Sequence, residues 1–191
     1  MTDGDAPSYT VSKRKASIVA AAAGKKSEEV KVSVLATPDI YTLVAGTGEG
    51  SVPLVAFDRA LLAAGVGNLN LLKVSSILPP SATLLPRIGI APGSLVPIAY
   101  GTICSQVPGE SIAAAVGIGI PPSGYGVIME YSGRVSETEA RDTVNRMVVE
   151  ALTVRRLEAA QIVVKSTEHR VEACGCAFAG VVLWYQNALV K

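Results

Sequence analysis

The sequence has little of what builds the commonest ligand platforms. Aromatic side chains make up 5% of its 191 residues, too few for a surface on which successive bases stack. Charged residues are 17% and the net charge is +1. Apart from a short basic cluster, Lys13, Arg14 and Lys15, no electrostatic footprint for nucleic acid exists. There is one histidine, His169, set in the charged turn KSTEHRVE, and no G-x-S-x-G elbow, which removes a Ser-His-Asp arrangement. The three cysteines, Cys104, Cys174 and Cys176, lack C-x-x-C spacing, so no metal site is expected. In their apolar settings they read as small buried hydrophobes, and a reducing cytoplasm is the expected compartment. No uninterrupted apolar run is long enough to span a bilayer.

Apolar side chains are abundant, at 49%. With so few charges to cover a surface, self-association is expected. The length suits one domain with a substantial core. The start, MTDGDAPSYTVSKRKASIVAAAAGKK, imitates a signal peptide, but its apolar stretch is short, alanine-rich and preceded by acidic residues. Residues 1–29 therefore read as a mobile extension and residues 30–191 as the single domain.

Within that domain VKVSVLA, about residues 31–37, alternates as a first strand before Pro38. In IYTLVAGTGEGSVP the glycines 46, 48 and 50 read as an open loop. Gly46, Gly48 and Glu49 weakly imitate a phosphate loop, but no Gly-Lys-Ser/Thr follows. Residues 53–64 predict a helix that starts near Pro53, buries Leu54, Phe57, Leu61 and Ala64, and stops at Gly65 and Gly67. Taken alone, Asp58 in that helix is a solvated charge paired with Arg59 or Lys73. LVPIAYGTICSQ, SIAAAVGIGI and YGVIMEYSG follow as near-continuous apolar strands, covered on both faces or by an oligomer interface. SETEARDTVNRMVVEALTVRRL is the clearest helix. It has a Ser136/Glu139 capping box, a buried stripe of Ala140, Val144, Met147, Val148 and Ala151, and Arg155 and Arg156 in its last turn. AAQIVVKS and HRVEACGCAFAGVVLWYQ add two strands. Without regular β-α-β alternation the class is α+β, with helices packed on sheet faces.

One stretch resists a purely structural reading. In NLLKVSSILPP two hydroxyls, Ser75 and Ser76, interrupt a strand-like run that stops at two prolines. If the backbone is held in a tight turn, the Ser76 hydroxyl can attack the carbonyl carbon of Ser75 and turn the peptide bond into an ester. Elimination across the α and β carbons of Ser76 then frees the upstream chain and leaves dehydroalanine, which hydrolyses to a pyruvoyl group.

AFDRALLAAGVGNLNLLKVSSILPP, with the later GVIMEY, resembles the pyruvoyl-dependent arginine decarboxylase family. IYTLVAGTGEG and CGCAFAGVVLWY extend the likeness over about residues 39–188, leaving out the N-terminal extension. The resemblance implies a four-layer αββα sandwich, self-cleaved between Ser75 and Ser76 into a β chain of residues 1–75 and an α chain of residues 76–191. It implies a covalent pyruvoyl cofactor derived from Ser76 and decarboxylation of L-arginine to agmatine and carbon dioxide through a Schiff base. It also implies a trimer or hexamer of αβ units with sites between neighbours. Glu130 matches the family position that delivers a proton to the substrate carbon. It is conspicuous by itself as a carboxylate in an apolar strand, where desolvation raises its pKa; the competing reading pairs it with Arg134. Asn70 matches an asparagine that donates to the oxyanion of the rearrangement or orients the pyruvoyl carbonyl. Asp58 matches the aspartate that meets the guanidinium of the substrate, which displaces its reading as a solvated charge. A pyruvoyl decarboxylase of another amino acid and an uncleaved, non-catalytic subunit of the same fold are the alternatives. Asp58 disfavours an acidic substrate. The joint presence of Ser75, Ser76, Asn70, Asp58 and Glu130 disfavours an inert subunit. No metal, nucleic acid or membrane partner is expected.

Overall fold

A computed structural model describes residues 36–190 as two β-sheets and two α-helices. The expected extension and most of the strand expected over 31–37 lie outside the described residues, and Ala36 and Thr37 are irregular. The first strand, β1, is Ile40–Glu49. It takes in Gly46 and Gly48, two of the three glycines expected to form an open loop, while Gly50 lies just past its end. Their spacing of two residues puts Gly46 and Gly48 on one face of the strand, and helix α1 (Pro53–Ala63) lies on that face. A Cβ on Gly46 would stand 2.5 Å from the backbone of Ala60 and Ala64, and one on Gly48 2.6 Å from Arg59 Cβ. The glycines are there so that helix and strand backbones can meet. For the same reason α1 buries Ala56, Ala60 and Leu61, while Leu54, expected inside, is 75% exposed.

Six short or long strands follow before the second helix: β2 (Asn70–Lys73), β3 (Ile77–Leu78), β4 (Thr83–Leu84), β5 (Leu95–Ser105), β6 (Ser111–Ile120) and β7 (Gly126–Gly133). Helix α2 (Glu137–Val154), β8 (Gln161–Arg170) and β9 (Gly175–Trp184) complete the chain. One sheet has the order β2-β5-β9-β1-β4, the other β3-β7-β6-β8. The long pairs β1–β9, β5–β9, β6–β7 and β6–β8 are antiparallel, and β2–β5 is parallel.

Three apolar clusters organise these elements. The first joins Tyr41, Leu43, Ala99 and Val181 of the five-stranded sheet to Ile112, Val116, Ile118 and Ile128 of the four-stranded sheet. In the second, Ala56 and Ala60 of α1 meet Val96, Ile98, Phe178 and Val182 of the five-stranded sheet. In the third, Val144, Val148 and Leu152 of α2 meet Ala113, Ala115 and Val127 of the four-stranded sheet. Residues of both parities in the central strands are therefore buried, which accounts for their near-continuous apolar runs. Ser136 caps α2 as expected, its Oγ accepting from the Glu139 N–H at 3.2 Å, worth about 1 kcal/mol; this is the serine half of the expected capping box. The two arginines expected in the last turn lie just past it: Arg155 is the C-cap residue and donates to the Ala151 carbonyl at 2.9 Å, and Arg156 follows with a φ of 57°.

Two features depart from the sequence reading. Cys104 and Cys176 face each other across β5 and β9 and form a disulfide, while Cys174 is free and buried. Only Cys174 is therefore the small buried hydrophobe expected of all three. A sequence separation of 72 residues hides such a meeting until strand register is known. The second concerns Glu49 at the end of β1. Its carboxylate accepts the N–H groups of Glu172 at 2.8 Å, Cys174 at 2.9 Å and Ala173 at 3.2 Å, and meets His169 Nε2 at 2.6 Å. Burial pushes the Glu49 carboxyl up, but these donors together outweigh it and hold its pKa at about 2. The clamp ties β1 to the β8–β9 turn. Among the described residues, no helix is long and apolar enough to cross a membrane and no cluster of three acidic, His or Cys side chains could hold a metal ion.

Candidate active site

The two serines lie where the chain passes from one sheet to the other. β2 ends at Lys73 in the five-stranded sheet, Val74 N–H still reaches the Ile98 carbonyl at 3.1 Å, and β3 starts at Ile77 in the four-stranded sheet. β3 stops after two residues because Pro79 and Pro80 have no N–H with which to extend a ladder. At the crossover Ile77 N–H turns back to donate to the Ser75 carbonyl at 3.0 Å, a three-residue turn centred on Ser76. Ile128 N–H of β7 donates to the Ser76 carbonyl at 2.8 Å. The carbonyls of Ser75 and Ser76 are thus each polarised by a backbone donor. Ser75 is exposed and Ser76 half-buried.

The Ser76 hydroxyl donates to Glu130 Oε2 at 3.4 Å. Along β7 the alternating Val127 and Met129 face α2, while Ile128 faces the space between the sheets. Glu130 shares the face of Ile128. Gly101 of β5 lies against the β7 backbone here: a Cβ there would press within 3.2 Å of the Tyr131 carbonyl and come into ordinary contact, 3.5 Å, with Glu130 Cβ. Burial raises the carboxyl pKa of Glu130; the charge of Lys73 and the bond from Ser76 oppose this without cancelling it. Arg134, the competing partner, instead pairs with Glu110 at 2.9 Å. Glu130 is left as an acid that keeps its proton further towards neutral pH than an ordinary glutamate does.

Lys73 was not among the residues expected to carry chemistry. Its ammonium sits 4.7 Å above the Tyr100 ring, and its charge is felt at Glu130. The sequence signal was a lone cation within NLLKVSS, two residues before Ser75.

Asn70 and Asp58 stand apart from this pair. Asn70 begins β2, where its side-chain amide donates to the Gly93 carbonyl at 2.7 Å. A strand rise of about 3.3 Å per residue puts it about 13 Å from Val74. Asp58 is exposed on α1, against the face of the five-stranded sheet that is turned away from the four-stranded one. Neither expected partner takes it: Arg59 donates to the Glu49 carbonyl at 2.8 Å and Lys73 sits on Tyr100. A cleft of about 420 Å³ between β1, the end of α1 and β8 is lined by Thr42, Arg87 and Lys165 and contains neither Ser76 nor Glu130. Its two cations are the wrong sign for a guanidinium group.

A family model described as pyruvoyl-dependent arginine decarboxylase matches residues 40–188. The chain belongs to the pyruvoyl-dependent arginine decarboxylase family. It is 49% identical to the pyruvoyl-dependent arginine decarboxylase of Methanocaldococcus jannaschii over 151 residues, which cover 78% of this chain and 92% of the relative. It is 38% identical to that of Thermococcus kodakarensis, over 78% of this chain and 96% of the relative. Membership in this family implies a covalent pyruvoyl cofactor.

Proposed function

We propose that this chain decarboxylates L-arginine to agmatine and carbon dioxide, using a pyruvoyl group that it makes from Ser76. The observation that carries the reading is the crossover itself, where the Ser76 hydroxyl meets Glu130 and the Ser75 carbonyl is held by Ile77 N–H. Ionised Glu130 accepts the Ser76 hydroxyl proton as Oγ attacks the Ser75 carbon, and Ile77 N–H stabilises the oxyanion that forms. Glu130 returns the proton to the Ser76 nitrogen as the C–N bond breaks, leaving an ester. Loss of the Ser76 α-proton and cleavage of the Cβ–Oγ bond release residues 1–75 with a carboxylate. Water then replaces the amine as ammonia.

The surroundings of Ser76 fit the group. Its carbonyl is already bonded to Ile128, and its hydroxyl lies on the Glu130 side. Once formed, the pyruvoyl group supplies the electrophile and electron sink that pyridoxal phosphate supplies elsewhere. Protonated Glu130 then delivers its proton to the former α-carbon of the substrate. Asp58 accepts the planar guanidinium through two charge-assisted bonds, and Asn70 orients the reacting carbonyl.

Because Asp58 and Asn70 stand away from Ser76 in one copy, they serve the site of a neighbouring copy in a trimer or hexamer. Leu54 and Leu62 on α1, Leu72 on β2 and Leu95 at the start of β5, all exposed, support that assembly. The three apolar clusters support a four-layer αββα order. Residues 30–191 then form one domain, cut into chains of residues 1–75 and 76–191.

Intact-mass spectrometry before and after a carbonyl-trapping reagent tests the reading. Two fragments ending and starting at the Ser75–Ser76 bond are expected, with only the downstream one blocked and gaining the reagent mass. Ser76→Ala should stay in one piece. An unmodified chain that persists whole on prolonged incubation would overturn the proposal.

A further inference from the structure

From the rung between β3 and β7 we infer that the backbone N–H of Ile128 is itself a catalytic group, the donor to the oxygen on which charge gathers as carbon dioxide leaves. This rests on the proposed origin of the pyruvoyl group in Ser76. The register Ile77↔Val127 and Leu78↔Gly126 makes the Ile128-to-Ser76 bond the next rung beyond β3. In antiparallel pairing the N–H and C=O of one residue point to the same neighbour, and the next residue points to the other. Ile128 therefore addresses Ser76, while Met129, opposite Gly117, addresses β6. The Ile128 donor is not shared. Its residue is fully buried, in surroundings where a hydrogen bond to growing charge is stronger than in water.

The bond between the Ser76 carbonyl and Ile77 nitrogen is untouched by cleavage, so this oxygen and its donor persist into the mature protein. When the bond from the substrate α-carbon to its carboxylate breaks, carbon dioxide departs and the electron pair left behind is delocalised as far as this oxygen. The pair returns to carbon when Glu130 supplies its proton. The N–H is preset at 2.8 Å and gains strength only as the charge builds, so it lowers the barrier rather than merely binding. The same oxygen receives charge when the α-proton of Ser76 is removed during self-cleavage. One donor serves both steps.

The test replaces residue 128 with its α-hydroxy acid, turning that amide into an ester without an N–H, and makes the same change at residue 129 as a control that removes a β6 rung. The 128 ester is expected to process more slowly and to lose about 10²-fold in kcat with KM unchanged. Its carbon-13-labelled residue 76 carbonyl should absorb at higher wavenumber, whereas the 129 ester leaves that band in place. A processed 128 ester whose band and kcat match those of the 129 ester overturns the inference and leaves the proposed function standing. Unmodified protein that never forms a trappable ketone overturns both. Should the 128 ester fail to fold or process, the unmodified processed enzyme decides. A residue 76 carbonyl band lowered by hydrogen bonding and sensitive to N–H deuteration supports the inference, and a band at the position of pyruvamide in aprotic solvent overturns it.

Discussion

Glu130→Gln is the most informative single change. Glutamine keeps the length and planarity of the side chain, so the approach to Ser76 Oγ, 3.4 Å in the native site, is preserved. What is lost is the capacity to take and return a proton. Positioned acid-base groups contribute about 10²–10⁴-fold, and the proposed mechanism uses Glu130 in self-cleavage and again in decarboxylation. Both rates should fall by factors in that range. A time course of fragment appearance by mass spectrometry reports the first, and carbon dioxide release per trapped ketone reports the second.

Stability supplies an independent readout with a definite sign. Burial raises the Glu130 carboxyl pKa in the folded protein, against the opposing charge of Lys73 and the bond from Ser76. An unfolded chain titrates it near about pH 4.3. Between those two pKa values the folded state holds the extra proton, so native stability falls as pH rises through that window. Glutamine has nothing to ionise. The melting temperature of the variant relative to the native protein should therefore improve from pH 4 towards neutrality. A variant that processes and turns over at native rates, or one uniformly destabilised at every pH, would refute the role assigned to the carboxyl.

Asp58→Asn should leave fragment formation unchanged, since Asp58 lies away from Ser76 in the same copy. It should raise KM for arginine about 10- to 100-fold through loss of a charge-assisted pair worth about 1.5–3 kcal/mol; an unchanged KM would remove Asp58 from substrate recognition. Glu49→Gln should cost about 1–2 kcal/mol at pH 7 by denaturant unfolding, because a carboxylate held at about 2 and 22% exposed keeps only part of its nominal stabilisation after solvent screening. That contribution is present above about pH 4.3 and disappears as pH falls towards 2, so native and variant curves should converge in acid; a constant difference would contradict the clamp.

The α+β class, the capped helix after Ser136 and the apolar strands were readable because each is written in local periodicity. The glycine run 46–50 was not. A strand face that must admit a helix backbone and a flexible loop both demand glycine, and only the position of Ala60 and Ala64 over Gly46 separates them. Leu54 misled for a related reason: the close approach selected alanines for the inner face of α1 and turned the leucine out. The cysteine pair and the Glu49 clamp depend on strand register and on a sequence separation of 72 residues for the former and 120 for the Glu49–His169 bond. The serine pair stood out in the sequence because two hydroxyls before two prolines fit no ordinary strand. Its meeting with Glu130, 54 residues away, needed the sheets to be folded together.

The place of the proposed Ser75–Ser76 cleavage in the crossover also determines what such a cut would do to the fold. Residues 36–75 carry β1, α1 and β2, and β1 is an interior strand between β9 and β4. All ten residues of β1 pair with β9, Ile40 with Trp184 through Glu49 with Gly175. Helix α1 is packed into the cluster around Phe178, and β2 is paired to β5. Cutting the Ser75–Ser76 bond breaks none of these contacts and frees only the exposed end at Ser75, while Ile128 still holds the new beginning at residue 76. The two fragments should therefore co-elute in size-exclusion chromatography without denaturant and separate only after unfolding. After dilution from denaturant they should recover more slowly than Ser76→Ala, because the fragments must first find each other whereas the uncut chain closes an intramolecular contact. Elution of residues 1–75 as a free fragment under native conditions would mean that β1 does not lie inside the sheet, and the crossover geometry from which the chemistry is built would fall with it.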